Sequence, residues 1–205
     1  MHPARDFHET DPAILSAQVA ERGFAVIIGT RGDWPLVAHA PVLLDGGRLR
    51  FHLSGANPLA TALSPAGWAL AVITGDEAYV SPDWYALPDQ VPTWNYVSVE
   101  IEGPVRVLSR AEATQLLDDL AARYEAGLAP KPPWSRAKMK PARFDAMLSG
   151  IVAFEMTVER LAGISKLSQN KPDEEIRRVA AALAERDDAG GRAIAGRMIK
   201  RLAQD

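Results

Sequence analysis

Prolines at positions 82, 88 and 92 interrupt the stretch Tyr79–Tyr96, YVSPDWYALPDQVPTWNY. Each proline fixes φ and removes a backbone donor, which excludes a helix and any long central strand across them. The stretch therefore reads as a loop with strands at its two ends. It carries Trp84, Tyr85, Trp94 and Tyr96. Large aromatics on a proline-stiffened loop either plug a core or form a wall for a flat ligand or a partner.

From Trp94 the chain alternates. Trp94, Tyr96, Ser98 and Glu100 share one face of a strand, and Asn95, Val97, Val99 and Ile101 share the other. The aliphatic face is the natural core, so the two rings lie on the opposite face. There they want a cover: a second subunit, a cofactor, the C-terminal tail, or the loop folding back over its own strand.

At 205 residues, 47% hydrophobic and 24% charged, the chain can bury a full core as one ordinary domain with an appendage. A formal charge of -3 argues against bulk nucleic-acid binding. With no cysteine, disulfides, thiolate nucleophiles, cysteine zinc sites and iron–sulfur clusters are all excluded. No apolar h-region follows Met1 and no long apolar span exists, so the chain reads as cytoplasmic, with no membrane partner.

Asp11-Pro12 opens a helix that Gly23 ends. Phe24 to Ile28 reads as a buried strand, and Trp68 to Thr74 as another fully apolar strand. Between them lie strands at about Pro35–Leu44 and Arg48–Leu53, joined by the turn Asp45-Gly46-Gly47, and a short helix capped by Asn57 with Pro58 at its first position. A strand from Trp94 to about Leu108 leads into the capping box Ser109–Glu112 and a helix. Lys131 to Arg143 reads as a proline-interrupted basic loop, a solvated surface or else an anion site. Val152 to Val158 reads as the last strand, and ISKLSQN at 164–170 as a polar turn. Two helices follow Pro172, separated near Asp187 to Gly191. Many short strands with helices at the edges predict a mainly β fold with peripheral helices (α+β), a barrel or strongly curved sheet, and not a doubly wound one.

No dinucleotide fingerprint, P-loop, nucleophile elbow or zincin motif is present. His39 and His52 lie on neighbouring strands, where they are structural or hydrogen-bonding groups or, alternatively, haem or metal ligands. Glu100 and Glu102 share a strand face as an exposed edge or an acid–base pair. The polar residues left at strand ends are His39, His52, Ser54, Asn57, Trp94, Asn95, Tyr96, Lys166, Ser168, Gln169 and Asn170. Together they suit a planar, phosphorylated ligand. Rings stack on it, hydroxyls, amides and the helix start at Asn57 donate to it, and Lys166 or Arg50 neutralises its phosphate.

The segments HLSGANP (52–58), AYVSPDWY (78–85), VPTWNYVSV (91–99) and KLSQNKP (166–172) resemble the PaiB-like FMN-binding family, grouped as negative transcriptional regulators. Met1-His2-Pro3 with Phe7, and His39-Ala40-Pro41, resemble it too. Ala40 departs from the leucine common there, and no family motif matches after Asn170. The helices of 172–205 read as an extension packed on the same domain, and the resemblance implies a split β-barrel over 1–171. It also implies a homodimer with FMN sites between subunits, and no metal. His39, His52, Ser54, Asn57, Trp94, Asn95, Tyr96, Lys166, Ser168 and Gln169 are the expected cofactor-binding residues. Any enzymatic activity would be that of a weak flavin-dependent oxidoreductase, with no catalytic residue assigned. A haem-binding barrel and a direct DNA-binding repressor are the alternatives. DNA contact would fall to the C-terminal helices, whose charge pattern does not support it: Asp173, Glu174 and Glu175 open the first of them.

Overall fold

The computed structural model describes residues 2–203; Met1, Gln204 and Asp205, and with Met1 the start of the Met1-His2-Pro3 segment, lie outside the described residues. One antiparallel sheet holds β1 (His8–Glu9), β2 (Phe24–Arg31), β3 (Trp34–Asp45), β4 (Arg48–Ser54), β5 (Ala66–Val80), β6 (Thr93–Val107), β7 (Ile151–Thr157) and β8 (Arg160–Lys166). The order is β1-β8-β6-β5-β2-β3-β4-β7, and β7 pairs again with β6. The run from β6 through β5, β2, β3 and β4 to β7 thus returns on itself, and β8 and β1 continue the sheet beyond β6. The helices are α1 (Pro12–Arg22), α2 (Pro58–Ala62), α3 (Arg110–Glu125), α4 (Pro141–Leu148), α5 (Asp173–Ala184) and α6 (Ala189–Leu202).

Two compact units share the chain. One holds the residues up to Gln18, Thr74–Val99 and those from Ala162 onward; the other holds Val19–Ile73 and Glu100–Leu161. In the second unit Phe51 faces Phe154 across β4 and β7, with ring centroids 5.4 Å apart. Both rings are fully buried, and burial of one such side chain contributes about 1.5–3 kcal/mol. Helix α3 begins at the expected capping box, with Ser109 and Glu112 satisfying each other's backbone N–H groups. Its Ala113, Leu116 and Leu120 pack with Leu43, Leu108, Leu148 and Ala153.

The first unit is built around the C-terminal helices. Ile176, Val179 and Leu183 of α5 and Ile194, Ala195 and Met198 of α6 pack with Val80, Tyr85, Val97 and Leu167. The apolar spacing after Pro172 does mark two helices, and residues 185–188 separate them.

Four local features differ from what the sequence pattern gives. Strands β2 and β5 alternate instead of burying both faces. Ala25 and Ile27 point inward opposite Ala40 and Ala38, while Val26, Ile28, Leu70 and Val72 share the other face. Phe24 and Trp68 are 53% exposed, because an antiparallel sheet needs cover on one face only. Second, Val152–Val158 is not the last strand: β7 stops at Thr157, and β8 takes in Ile164–Lys166 of the expected turn. The signal is weak there because Gly163 sits mid-strand. A Cβ at that position would lie 2.3 Å from a Leu15 methyl and 3.0 Å from the Ser98 carbonyl oxygen. Third, the two-residue β1, opposite Ile164 and Gly163, is too short to leave a pattern. Fourth, the basic loop contains α4, started by Pro141 at its first position and anchored by Leu148.

Candidate functional site

Strand β6 alternates as the residues require. Asn95 is fully buried on the aliphatic face, while Trp94 is 54% exposed and meets Tyr79 edge-to-face at 6.0 Å. A buried amide must be hydrogen-bonded. Asn95 Nδ2 donates to Ser168 Oγ at 3.0 Å, and the Tyr85 hydroxyl lies 3.0 Å from the same oxygen. Ser168 has φ +63°, a left-handed backbone that a non-glycine residue holds only when its surroundings impose it. The next residue completes the turn: Gln169 donates to the carbonyls of Asp6 and Ser165 and accepts from the Leu167 N–H. The polar groups of Asn95, Ser168 and Gln169 are thus taken up inside the protein.

Lys166 is different. Its ammonium donates to the Thr93 hydroxyl and lies 5.7 Å from the centre of the Phe7 ring. Burial pushes its pKa below the ordinary lysine value. With Thr93, Asn95, Ser168, Asn170, Lys171 and loop residues Tyr85 and Asp89 to Val91, it lines a polar cavity of about 250 Å³. Lys171 reaches Gln90 Oε1 and sits 5.5 Å above the Tyr85 ring.

His39, His52, Ser54 and Asn57 belong to the other unit. His52 and Ser54 share the outward face of β4 as expected, and the His52 Nδ1 atom is buried without a hydrogen-bond partner. Burial pushes its imidazole pKa down. Asn57 caps α2, with Oδ1 accepting from Leu59 N at 2.9 Å. The turn does not offer the free backbone donors expected of it. The N–H groups of Gly55, Ala56, Asn57, Leu59 and Ala60 all have partners in the turn or at Gly150, and Pro58 has none to give. His39 is exposed opposite Val26 and stacks on Phe24 at 6.4 Å, while His52 faces Ala153, so the strands do not set the two imidazoles opposite each other.

Other candidates are occupied. Arg50 pairs with Asp119 at 3.1 Å. Glu100 and Glu102 both bind Arg160, which holds the Glu102 carboxyl below its usual range and makes the two an ion-pair cluster and not an acid–base dyad. In the basic segment Arg136 pairs with Asp118 and Lys131 with Glu125. No group of three or more His, Asp or Glu able to hold a metal occurs among the described residues, and no described helix is long and apolar enough to cross a membrane. Thr93 and Lys171 line the cavity without being among the residues expected from the sequence. Both lie in segments that carry the family resemblance, VPTWNYVSV and KLSQNKP, where a hydroxyl and an ammonium are legible as polar groups.

Solved structures share this fold. The FAD and haem binding protein of Mycobacterium smegmatis superposes with TM-score 0.60 at 18% identity, over 82% of this chain and 78% of that one. The flavocytochrome Anf3 of Azotobacter vinelandii gives TM-score 0.58 at 14% identity, over 85% and 77%. The fold is the flavin-binding split β-barrel expected above. Among curated proteins, the "Protease synthase and sporulation protein PAI 2" of Bacillus subtilis is 27% identical over 98% of both chains. Residues 1–160 match the family model described as "Putative FMN-binding domain". This chain belongs to that family, and FMN is its cofactor. The residues of the first unit fit such a group: a partly buried ammonium, with no carboxylate partner among the described residues, lines the polar cavity.

The depressed His52 pKa has a consequence for stability. The unfolded chain takes up a proton near the ordinary value of about 6.5, while the folded protein does so only at lower pH. Stability from this residue is complete above about pH 6.5 and falls as the pH drops toward the folded value. In urea titrations at pH 7 and pH 5, His52→Gln should show a smaller loss of midpoint than the parent; an equal loss would place the acid sensitivity elsewhere.

Proposed function

We propose that this chain is a homodimeric FMN flavoprotein with flavin-dependent oxidoreductase capacity, and that it does not itself read DNA sequence. The observation that carries the reading is Lys166. A partly buried ammonium without a counter-ion is costly, and a phosphate dianion is the partner that offsets the cost. Bound FMN supplies electron and hydride transfer; the residues of the chain hold and shield it. Lys166 is assigned the phosphate, and Trp94 and Tyr96 offer ring surface. Ser54 and His52, in the other unit, are a separate candidate set for the cofactor. The similarity to the Bacillus protein named for protease synthase and sporulation supports a regulatory role exercised through the flavoprotein as a whole.

A charge-assisted contact contributes about 1.5–3 kcal/mol, so Lys166→Ala should weaken FMN roughly ten- to a hundred-fold in titrations of the apo protein. Because burial lowers the Lys166 pKa, FMN affinity should decline on the alkaline side earlier than an ordinary lysine would allow, and Lys166→Arg should hold it to higher pH. Unchanged affinity in both Lys166→Ala and Ser54→Ala would remove this assignment.

Exposed apolar surface supports the dimer. Phe24, Val37 and Trp68 are each 53% exposed in one unit, and Tyr79 and Trp94 are exposed in the other. Light scattering at micromolar concentration should give twice the chain mass; a stable monomer would contradict it.

The C-terminal helices do not suit a duplex. Their apolar faces are buried, three acids open α5, and Arg197 is held by Asp76 at 2.8 Å. Haem is a second reading, favoured by the exposed His39 imidazole beside Phe24 on an apolar sheet face. The absorption spectrum of the purified protein should show flavin bands and no Soret band. A gel shift at physiological salt should show no nanomolar, sequence-selective complex, since phosphate contacts alone weaken steeply with salt.

A further inference from the structure

The Lys166 cavity is walled on one side by a loop with little backbone pairing of its own. Between β5 and β6, residues 81–92 form one short helical turn, and Pro82, Pro88 and Pro92 contribute no N–H. Tyr85, Asp89, Gln90 and Val91 of this loop face the cavity. Side chains from the end of the chain hold it there. Tyr85 meets Ser168, Lys171 meets Gln90, and at the middle of the loop the Ala86 N–H donates to Glu175 Oε2 at 2.7 Å.

Glu175 stands apart from its neighbours. Asp173, Glu174 and Glu175 all lie in the first turn of α5, where any of them complements the helix dipole. Asp173 and Glu174 do so from the surface. Glu175 is only 5% exposed, and its nearest cation, Arg178, is 3.7 Å away. A carboxylate needs no burial to serve a helix end, and burial penalises it unless a specific donor compensates. The donor here is a loop amide that no strand pairs.

We infer that Glu175 is a positioning residue: it latches the proline-rich loop over the Lys166 cavity and so sets how fast a bound phosphate group leaves. The inference rests on the assignment of FMN phosphate to Lys166. Glu175 does not line the cavity; it acts through Ala86 on the wall formed by Tyr85 and Gln90.

Two readouts test the latch separately: amide hydrogen exchange at Ala86 in the apo protein, and the rate of FMN release on dilution. Loss of one charge-assisted bond should raise both about tenfold or more in Glu175→Ala. Glu175→Gln keeps an acceptor for the amide and should restore most of the loss. Lys166→Ala should speed FMN release without changing exchange at Ala86. Should Glu175→Ala not fold, Ala86→Pro deletes the donor instead; Tyr85, at φ -87° and ψ 141°, already has the extended backbone that precedes a proline, so the same acceleration of release is expected. Unchanged exchange at Ala86 in Glu175→Ala overturns the latch. Faster exchange with unchanged FMN release, while Lys166→Ala still weakens FMN, overturns its role in ligand release. If neither variant alters FMN, the cofactor assignment itself has failed.

Discussion

The Ser168 hydroxyl is the point on which one half of this molecule depends. It joins the Asn95 amide on β6 to the Tyr85 hydroxyl on the loop, inside a region closed by apolar side chains of α5 and α6. Buried polar groups are stable only when every member is satisfied, so this cluster admits one arrangement of strand, loop and turn. The left-handed backbone at Ser168 costs on the order of 1–3 kcal/mol, and the fully bonded side chain is what makes that conformation tolerable. Gln169 extends the same logic to the N-terminal segment through the Asp6 carbonyl.

The second unit is organised by apolar packing instead. Phe51 on Phe154 fills the interior between β4 and β7, while small residues such as Ala25, Ala38, Ala40 and Ala71 line neighbouring strands. Ion pairs stay at the rim, where Arg106 bridges Glu112 and Glu155. Order in this half comes from shape, and in the other half from a polar cluster and a tail.

Much of this was legible from the residues. Period-two alternation placed Asn95 inward and Trp94 outward, because a strand has no third option for a side chain. The Ser109 capping box, the Asn57 cap and the two terminal helices carried local signatures that the structure repeats. Strand β8 was hidden because Gly163 replaces a β-forming side chain where a Leu15 methyl and a backbone carbonyl need the space. At the candidate site the residue types were readable, but their hydrogen-bond partners were not. Asn95, Ser168, Gln169 and Lys166 all looked like ligand donors, and only pairings more than seventy residues apart show that Asn95 and Ser168 bind each other while Lys166 finds a neutral hydroxyl.

The two units are interleaved along the chain, and this bears on how the protein is made. The unit that holds Lys166 is assembled from three separate passes, the last beginning at Ala162. During vectorial synthesis the barrel strands and α3 emerge first and can close on themselves, since the second unit is complete by Leu161. Val80, Tyr85 and Val97 must then wait, apolar and uncovered, for α5 and α6. The long sequence separation of these contacts makes their closure intrinsically slow. The proline-rich loop therefore cannot meet its hydrogen-bond partners Ser168, Lys171 and Glu175 until the last pass of the chain has been made, and the half that carries the candidate cofactor lysine is the half completed last.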